Sequence, residues 1–570
     1  MNRSHLAHGQ ALPMKNMARS KRRVRFCVSA AVLCVIAIVL CVVVFTNRVY
    51  CDGGFKHAAV SADSETCSEI GRDILQQGGS AVDGAIATLL CTSLVNPQSM
   101  GLGGGAIFTV LEKTGKVKVI NSRETVPKVF NPDLIKLCPQ NFQPMTGGQW
   151  IGVPGEIRGY EVAHRLYGKL PWADLFKPAI RMAREGFPMP PILSRVLSLM
   201  LAGAETSPLC EVFCHKNGTL LKVGDTVKYE KLADTLEVIA NKGAGAFYNG
   251  SIGRALIQDV ENAGGTLSLE DLQSFKVKVT DAWTVPLGDY IMHVPPPPAG
   301  GALIAFILNI MKGFSLSPAS MEGDQTTLTY HRYVEACKFA NGQKKHVLDP
   351  SFNSDSAASR LIREEFAERI RLMISTSTHD FQYYNVSSSL DSQGTTHVSV
   401  LAEDGTAVSV TSTINHIFGS RVYSNKTGII LNNELADFCG KVDHISAGEQ
   451  PPSSMSPLVL YSNSREKTLV IGGSGGSMII TGVALTLMNH LWFGMDLEDA
   501  ISAPVVFVDS KNSLKFEPKF NRTVVEALKA LGHTVAEQKI FYNVVNAVAK
   551  KGSCINAVSD ARKQGKAAGY

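Results

Sequence analysis

Two runs of alternating side chains, at residues 397–401 and 406–411, place the strongest constraint on how this 570-residue chain can fold. Alternation of this kind sends successive side chains to opposite faces of a β-strand. The Asp404-Gly405 pair between the runs is typical of a tight hairpin turn. The sequence therefore predicts two antiparallel strands that are direct neighbours.

The register of this hairpin decides what lies beside Thr395, the residue just before the first strand. A two-residue turn sets Thr395 opposite Ile414, so that Thr413 and Asn415 flank the pair. A three-residue turn shifts the register by one and makes Thr413 or Asn415 the direct partner. In either register, Thr413 and Asn415 are expected beside Thr395.

Thr395 follows a glycine, Gly394, and this gives it a possible chemical role. A threonine hydroxyl is a weak nucleophile at neutral pH and needs a base to remove its proton. If the Gly394–Thr395 bond is broken, the new α-amine, with a pKa of about 7.7 to 8.0, can be that base. Taken by itself, Thr395 is simply a threonine that opens a strand.

Composition limits the class of protein. With 45% hydrophobic and 19% charged residues, the chain is expected to be globular. The net charge of +6 comes from residues 1–25, which hold seven Lys or Arg and no acid; the rest has 49 basic against 50 acidic residues. A nucleic-acid partner is therefore not favoured.

Residues 26–45 form an uncharged apolar stretch of 20 residues. A helix needs about 20 residues to cross a bilayer core, so we predict a transmembrane signal-anchor. The alternative is a cleaved signal peptide, whose apolar region is usually about 7 to 15 residues. The basic flank predicts a cytoplasmic tail at 1–25 and an extracellular remainder, a single-pass type II protein of the cell membrane.

An extracellular chain is expected to be glycosylated and oxidised. Five sequons follow the apolar stretch, and they lie at Asn217, Asn249, Asn385, Asn425 and Asn521. Cys210 and Cys214 lack a second ligand pair nearby, which favours a local disulfide over a metal site. Nine cysteines lie outside the apolar stretch, an odd number that leaves at least one free or intermolecular thiol.

Local patterns predict mixed helices and strands around this hairpin. Apolar periodicity predicts a helix from about Ala81 to Val95, and strands at 106–111 and 117–120. The glycine-rich run 101–105 could suggest a phosphate-binding loop, but it lacks the Lys-Ser/Thr ending and precedes a strand instead of opening a helix. Nucleotide binding is therefore not favoured.

Several short motifs follow one another in a characteristic order between about Ala58 and Tyr570. They include Gly78-Gly79-Ser80-Ala81-Val82-Asp83, Asn121-Ser122-Arg123-Glu124, Val153-Pro154-Gly155-Glu156, Gly394-Thr395-Thr396-His397, Ser412-Thr413-Ile414-Asn415, Asn433-Glu434, Pro452-Ser453-Ser454-Met455, Gly472-Gly473-Ser474-Gly475-Gly476 and Ala567-Ala568-Gly569-Tyr570. In this order they resemble the gamma-glutamyltransferase family.

That resemblance implies an α+β fold, the N-terminal-nucleophile hydrolase four-layer αββα sandwich. It also implies a proenzyme that cleaves itself at Gly394–Thr395 through an N-to-O acyl shift. The products would be a large subunit, extracellular at 46–394, and a small catalytic subunit, 395–570, which stay associated. The same resemblance supports two disulfides, Cys67–Cys91 and Cys210–Cys214, and leaves open the pairing of Cys51, Cys138, Cys337, Cys439 and Cys554.

The resemblance also assigns roles to site residues. Thr395 is the nucleophile, Thr413 holds its rotamer, and the backbone NH groups of Gly475 and Gly476 form the oxyanion hole. A γ-glutamyl donor carries an α-carboxylate and an α-ammonium, and both need partners. For the carboxylate the residues are Arg123, Ser453 and Ser454; for the ammonium they are Asn415, Glu434 and Asp437.

The implied reaction is attack by Thr395 on the γ-glutamyl amide of glutathione or a glutathione S-conjugate, with water, an amino acid or a dipeptide as acceptor. No metal or organic cofactor is implied. Details of sequence resemble the branch that hydrolyses leukotriene C4. Ile417 departs from the tyrosine that relatives often carry there, and the stretch from Asp437 to Ser453 is short, so acceptor preference is left open.

A second hypothesis comes from a different class of protein. A membrane glycoprotein could keep this scaffold, never be cleaved, and act by binding alone. Other amidases with the same fold are a third possibility, which Arg123 and the Ser453-Ser454 pair disfavour. Observing whether the purified chain is cleaved separates the first two hypotheses.

Overall fold

The computed structural model describes residue 36 and residues 54–570, except for 141–142, 201–206, 387–389, 463, 465 and 538–542. Apart from Ile36, the predicted cytoplasmic tail and transmembrane segment lie outside the described residues, so both remain predictions. None of the helices described is long and apolar enough to cross a bilayer. Residues 53–570 form one structural unit, and the site lies within it.

Seventeen strands are found among the described residues, and thirteen of them form two antiparallel sheets. The first sheet, in spatial order, consists of β17 (Ala568–Gly569), β1 (Ala59–Ser61), β9 (Thr396–Leu401), β10 (Ala407–Thr413), β2 (Gly105–Leu111), β3 (Val117–Asn121) and β6 (Lys278–Asp281). The second consists of β16 (Cys554–Val558), β15 (Val544–Lys551), β12 (Lys467–Ser474), β11 (Leu458–Ser462), β8 (Tyr290–Val294) and β7 (Trp283–Leu287). Two small pairs are β4 (Phe187–Pro188) with β5 (Thr226–Val227) and β13 (Val506–Val508) with β14 (Leu514–Phe516).

Helices surround the sheets. In chain order they are α1 (Glu65–Gln76), α2 (Ala81–Val95), α3 (Glu156–Tyr167), α4 (Trp172–Glu185), α5 (Pro191–Met200), α6 (Cys210–Phe213), α7 (Glu230–Lys242), α8 (Gly245–Tyr248), α9 (Ser251–Asn262), α10 (Leu269–Ser274), α11 (Gly301–Lys312), α12 (Asp324–Gln343), α13 (Ser356–Ser359), α14 (Glu364–Arg371), α15 (Met478–Leu491), α16 (Leu497–Ser502) and α17 (Arg522–Ala530). The predicted helix at Ala81–Val95 is confirmed. The run 101–105 leads into β2, as expected.

The apolar clusters show how these elements are layered. One cluster joins the first sheet to α2, α3, α4 and α7. A second joins the other sheet to α11, α12 and α15. A third lies between the sheets, where Leu401 and Ala407 of the first meet Val470 and Val548 of the second. The layers therefore follow the order helix, sheet, sheet, helix.

The predicted hairpin forms, and its turn has three residues. The Ala402 NH donates to the Thr406 carbonyl oxygen at 2.9 Å, and Gly405 adopts a φ of +83° in the loop between them. Strand pairing sets Leu401 opposite Ala407 and Thr396 opposite Ser412. The two-residue register was therefore wrong, because glycine in the left-handed region closes a longer loop. Continued by one residue, the observed register brings Thr413 to the position opposite Thr395.

Both predicted disulfides, Cys67–Cys91 and Cys210–Cys214, are present. A third bond, Cys138–Cys439, joins residues 301 positions apart, one on each side of Gly394. Cys554 is also disulfide-bonded. Cys337 is a buried free thiol, which confirms that at least one cysteine is left over.

All five predicted glycan acceptors have exposed side chains, at Asn217, Asn249, Asn385, Asn425 and Asn521. Exposure is a condition for glycosylation, so the structure is compatible with the modification at each of them. Their glycosylation stays a prediction.

Candidate active site

Thr395 lies at the mouth of the space between the two sheets, where it is only 4% exposed. Its hydroxyl donates to the Thr413 hydroxyl oxygen at 3.2 Å. Thr413 Oγ1 also accepts the backbone NH of Asn415 at 2.8 Å, which fixes its own rotamer. The hairpin therefore places Thr413 beside Thr395, as predicted, and the role of Thr413 in orienting a nucleophile stays a prediction.

The bond that precedes Thr395 is held against the glycine-rich turn after β12. The backbone NH of Gly475 donates to the Gly394 carbonyl oxygen at 2.9 Å. A Cβ at Gly394 would lie 1.9 Å from the Asn415 carbonyl oxygen, and one at Gly476 would lie 2.2 Å from the Ser392 carbonyl oxygen. Only glycine permits such close approach, so these positions bring the Gly394 carbonyl to a backbone donor.

Thr395 has a strained backbone, with a φ of +81°. The positive region is unfavourable for a β-branched residue and costs about 1 to 3 kcal/mol. The angle φ involves the carbonyl carbon of Gly394, so cleavage of the preceding bond would release this constraint. Strain is therefore stored at the bond that the sequence predicts to be cut.

A buried ion pair contacts the carbonyl group of Thr395. Lys563 Nζ donates to the Thr395 carbonyl oxygen at 2.6 Å, to Ser474 Oγ at 2.9 Å and to Asp63 Oδ2 at 2.8 Å. Asp63 in turn accepts the Thr396 hydroxyl at 2.6 Å. Neither Lys563 nor Asp63 was predicted from the sequence as a site residue. The only sequence signal for Lys563 was its position in the C-terminal segment, which is part of the chain that resembles the family.

Asn415 lies beside Thr413 in a left-handed conformation, with a φ of +71°. Its side-chain NH₂ donates to the Asn433 carbonyl oxygen at 3.1 Å, and the Asn433 side chain accepts the His416 NH at 3.1 Å. These bonds join the end of β10 to the short 3₁₀ helix Glu434–Phe438. The acidic residues of that helix are thereby held close to the threonine pair.

Arg123 is fully buried and binds both predicted acids. Its Nη1 donates to Glu434 Oε1 at 2.6 Å and its Nη2 to Asp437 Oδ2 at 2.7 Å. Its Nε and Nη2 also donate to the carbonyl oxygens of Pro451 and Pro452, at 2.7 and 3.1 Å. The structure thus brings these three predicted residues together, and direct pairing of Arg123 with a substrate carboxylate stays a prediction.

The acids around Arg123 carry unused hydrogen-bonding capacity. Burial raises the pKa of Glu434 to about 7, although the charge of Arg123 opposes the shift. Glu434 Oε2 and both carboxyl oxygens of the buried Glu124 have no hydrogen-bond partner within the described residues. Burial and the charge of Glu434 raise the pKa of Glu124 well above its ordinary value. Glu434 therefore has an oxygen available to accept a ligand's ammonium group.

Ser453 and Ser454 line a small cleft. The Ser453 NH donates to the Pro298 carbonyl oxygen at 2.8 Å, and Ser453 Oγ accepts the Met455 NH at 3.1 Å. The preceding residue, Pro452, contacts Arg123. The cleft therefore lies next to Arg123 and the two acids that Arg123 binds.

Glu156, at the start of α3, is a buried carboxyl next to the threonine strand. Its Oε1 accepts the hydroxyls of Tyr160 and Ser412, at 2.5 and 2.8 Å. Burial raises its pKa to about 8, against the lowering effect of those two bonds. Through its hydrogen bond with Ser412, Glu156 supports strand β10 as a neutral group at physiological pH.

Glu156→Gln is expected to reduce the pH dependence of stability. An unfolded glutamate ionises near 4.5 and the native one near 8, so between these values the native state binds more protons. Stability therefore falls as pH rises through that window, and a neutral amide removes this contribution. Thermal unfolding midpoints at pH 5.5 and 8 measure the fall.

Glu161→Gln is the matched control, since Glu161 lies on the same helix and pairs with Arg158 nearer the surface. It should keep the wild-type pH dependence. An equal fall in the wild-type protein and Glu156→Gln would show that Glu156 does not hold a proton in the folded state.

Comparison with known proteins extends these observations. A family model described as gamma-glutamyltranspeptidase matches residues 67–570. The glutathione hydrolase 5 proenzyme of Mus musculus is 47% identical over 539 residues, covering 91% of this chain and 93% of the relative. That of Homo sapiens is 46% identical over 548 residues, covering 90% and 93%. A solved structure, cephalosporin acylase from Bacillus halodurans, superposes with a TM-score of 0.81 at 25% identity, covering 91% of this chain and 96% of that one.

The paired antiparallel sheets with a threonine at their mouth define an N-terminal-nucleophile hydrolase fold. The family model covers most of the chain, and the two relatives are matched along nearly their whole length. The chain belongs to the gamma-glutamyltranspeptidase family and is a gamma-glutamyltransferase.

Proposed function

We propose that this chain cleaves itself between Gly394 and Thr395 and that Thr395 then cleaves the γ-glutamyl bond of glutathione and its S-conjugates. The observation that carries the proposal is the 2.9 Å hydrogen bond from the Gly475 NH to the Gly394 carbonyl oxygen. It puts the carbonyl to be attacked in contact with a backbone donor that can stabilise an oxyanion. The name proenzyme, carried by the relatives, supports processing from a precursor.

In the processing step, the Thr395 hydroxyl adds to the Gly394 carbonyl carbon. The C–N bond then breaks, the Thr395 nitrogen takes the proton, and an ester joins Gly394 to Thr395 Oγ1. Water hydrolyses this ester, which leaves a carboxyl group on Gly394 and restores the hydroxyl. Relief of the strained φ at Thr395 favours bond cleavage.

In the catalytic step, the freed α-amine of Thr395 takes the hydroxyl proton as Oγ1 adds to the donor's γ-carbonyl carbon. The Gly475 NH, with that of Gly476, stabilises the oxyanion. When the intermediate collapses, the C–N bond of the donor breaks and the leaving amine takes the proton. The resulting γ-glutamyl ester passes its acyl group to water, or to the amine of an amino acid or dipeptide.

The donor's two charges match the groups around the cleft. Asn415, Glu434 and Asp437 are the acceptors for its α-ammonium, and Glu434 Oε2 has no partner in the described part of the chain. Ser453 and Ser454 supply hydroxyls for its α-carboxylate, together with the cation of Arg123. Such charge-assisted bonds select an α-amino acid over a simple acyl group.

A second cleft supports S-conjugates as substrates. Mostly apolar side chains line this cleft, among them Val196, Leu199 and Ile417. Gln393 and Lys563 also line it, and Lys563 holds the Thr395 carbonyl. An apolar S-substituent with an acidic end, such as that of leukotriene C4, suits these walls.

We also propose that the enzyme acts outside the cell, anchored in the cell membrane by residues 26–45. The 20-residue apolar stretch with its basic N-terminal flank supports this orientation. Three disulfides and five exposed sequons are in keeping with an oxidising exterior. Surface labelling of intact cells with an impermeant reagent tests the location.

A gel comparison tests processing. Under reducing conditions the purified protein should give two fragments, and mass spectrometry should find Thr395 as the first residue of the smaller one. Without reductant the fragments should migrate together, since Cys138–Cys439 joins them across the cleavage position. Glutamate release from glutathione should accompany processing. A single band with reductant and no glutamate release would instead favour the uncleaved binding glycoprotein.

A further inference from the structure

The helix α5 forms one wall of the apolar cleft beside Lys563. The residues of α5 that line the cleft recur every three or four positions, which places them on one face of the helix. They are Ile192, Arg195, Val196, Leu199 and Met200. All of them are apolar except Arg195. The wall is therefore an apolar surface that carries one positive charge.

The apolar part of this wall is incompletely covered by the protein. Leu199 is 58% exposed, whereas Val196, one turn earlier on the same face, is buried. A ligand that removes the Leu199 side chain from water gains the free energy of apolar burial. The wall therefore suits a ligand with an apolar chain.

In the described part of the chain, three cations line the cleft, and two of them already have partners. Arg562 donates through Nε, Nη1 and Nη2 to Glu517, to Asp560 and to backbone carbonyl oxygens. Lys563 Nζ donates to the three oxygens described above. Arg195 is exposed and makes no hydrogen bond or ion pair with any residue that the structure describes. Its guanidinium is therefore available to a carboxylate.

The two ends of the cleft lie at different distances from the reacting carbonyl. Gln393 lies two residues before Thr395, and Lys563 binds the Thr395 carbonyl, so these residues mark the inner end. The exposed Arg195 marks the outer end. The cysteine of a glutathione donor is bonded to the attacked carbonyl and lies at the inner end. A group attached to its sulfur therefore extends outwards along α5.

We propose that Arg195 binds a carboxylate at the outer end of the apolar S-substituent of a glutathione conjugate, while Val196 and Leu199 cover the apolar chain. The ligand class is an amphiphilic acid joined to glutathione through a thioether. Arg195 is then a specificity-determining residue and takes no part in bond cleavage. This inference rests on the proposed function and adds the residue that selects among conjugates.

The experiment compares two donors that differ at one terminal group. S-(5-carboxypentyl)glutathione has a carboxylate where S-hexylglutathione has a methyl group, and glutamate release is measured with the processed full-length enzyme. Arg195→Gln should lower the ratio of kcat/KM for the acid-ended donor to that for the hexyl donor by about 5- to 20-fold, mainly through KM, as expected for a lost charge-assisted bond. Arg181→Gln, at an exposed arginine of α4 outside the cleft, is the matched control and should keep the wild-type ratio.

A charge reversal gives a readout that a purely structural role of Arg195 would not produce. Arg195→Glu should prefer S-(6-aminohexyl)glutathione, whose substituent ends in an ammonium, over the acid-ended donor, whereas the wild-type protein should show the opposite preference. Equal effects of Arg195→Gln on the carboxypentyl and hexyl donors would overturn the role of Arg195. An unchanged preference in Arg195→Glu would overturn it as well.

A binding measurement separates this inference from the proposed function. Isothermal titration with S-(5-carboxypentyl)glutathione should give a weaker affinity for Arg195→Gln than for the wild-type protein, and it does not depend on turnover. Equal affinities would overturn the role of Arg195. A wild-type protein that binds this ligand through Arg195 yet releases glutamate from neither donor would contradict the proposed function alone.

Discussion

Thr395→Ala is expected to yield a single uncleaved chain that releases no glutamate from glutathione. The change removes the hydroxyl that attacks the Gly394 carbonyl and the same hydroxyl that attacks the donor. Loss of a nucleophile from a catalytic group that acts as a unit commonly costs more than about 10⁴-fold in rate. Reducing gels and a glutamate-release assay on the same sample measure both losses.

Thr395→Ser is the control for this change, because it keeps a hydroxyl of the same reach. We expect it to be cleaved, more slowly than the wild-type protein, since serine lacks the methyl group that limits the rotamers of threonine. Full turnover by Thr395→Ala would refute the assignment of the nucleophile. Processing at another bond would refute the cleavage position.

Lys563→Met is expected to be the most damaging change outside the threonine pair. It removes the cation that binds Asp63 and the Thr395 carbonyl, and it leaves the Asp63 carboxylate buried. Removing one partner of a buried ion pair typically costs about 3 to 5 kcal/mol. Denaturant unfolding in a Thr395→Ala background measures this cost on an uncleaved chain.

The same substitution in the otherwise wild-type chain should slow processing, because the Thr395 carbonyl would no longer be held. Lys566→Met is the matched control, since Lys566 lies in the same C-terminal segment but forms an exposed ion pair with Glu65. That variant should be close to wild type in stability and processing. If Lys563→Met matched it in both, the ion pair would have no part in positioning Thr395.

Under the proposed function, the Ser453-Ser454 cleft recognises the charges at both ends of the γ-glutamyl group. The ammonium end meets Glu434 and Asp437, which Arg123 holds, and the carboxylate end meets the hydroxyls of Ser453 and Ser454 next to the Arg123 cation. A donor without either charge would leave a buried group unpaired, and this penalty gives selectivity. Selectivity of this kind depends on positions fixed by Cys138–Cys439, which anchors the chain two residues beyond Asp437.

Several features were predictable from the sequence because they depend on residues close together in the chain. The helix Ala81–Val95 follows from apolar composition ended by Asn-Pro, and the hairpin follows from period-two alternation around Asp404-Gly405. The hairpin also predicts that Thr395 and Thr413 lie close together, because a register shift of one residue still leaves them neighbours. The sequence left two registers open, and the structure selects the one with the three-residue turn, because the choice depends on how the loop residues close the turn.

The order of the motifs was enough to identify the family, since together they span nearly the whole chain. Tertiary structure decided what the individual side chains bind. Lys563 reaches Thr395 across 168 residues, Arg123 reaches Glu434 across 311, and Cys138 reaches Cys439 across 301. The local sequence determines which backbone conformation a segment prefers and which of its faces is buried. The pairing of buried charges depends instead on which distant elements pack together.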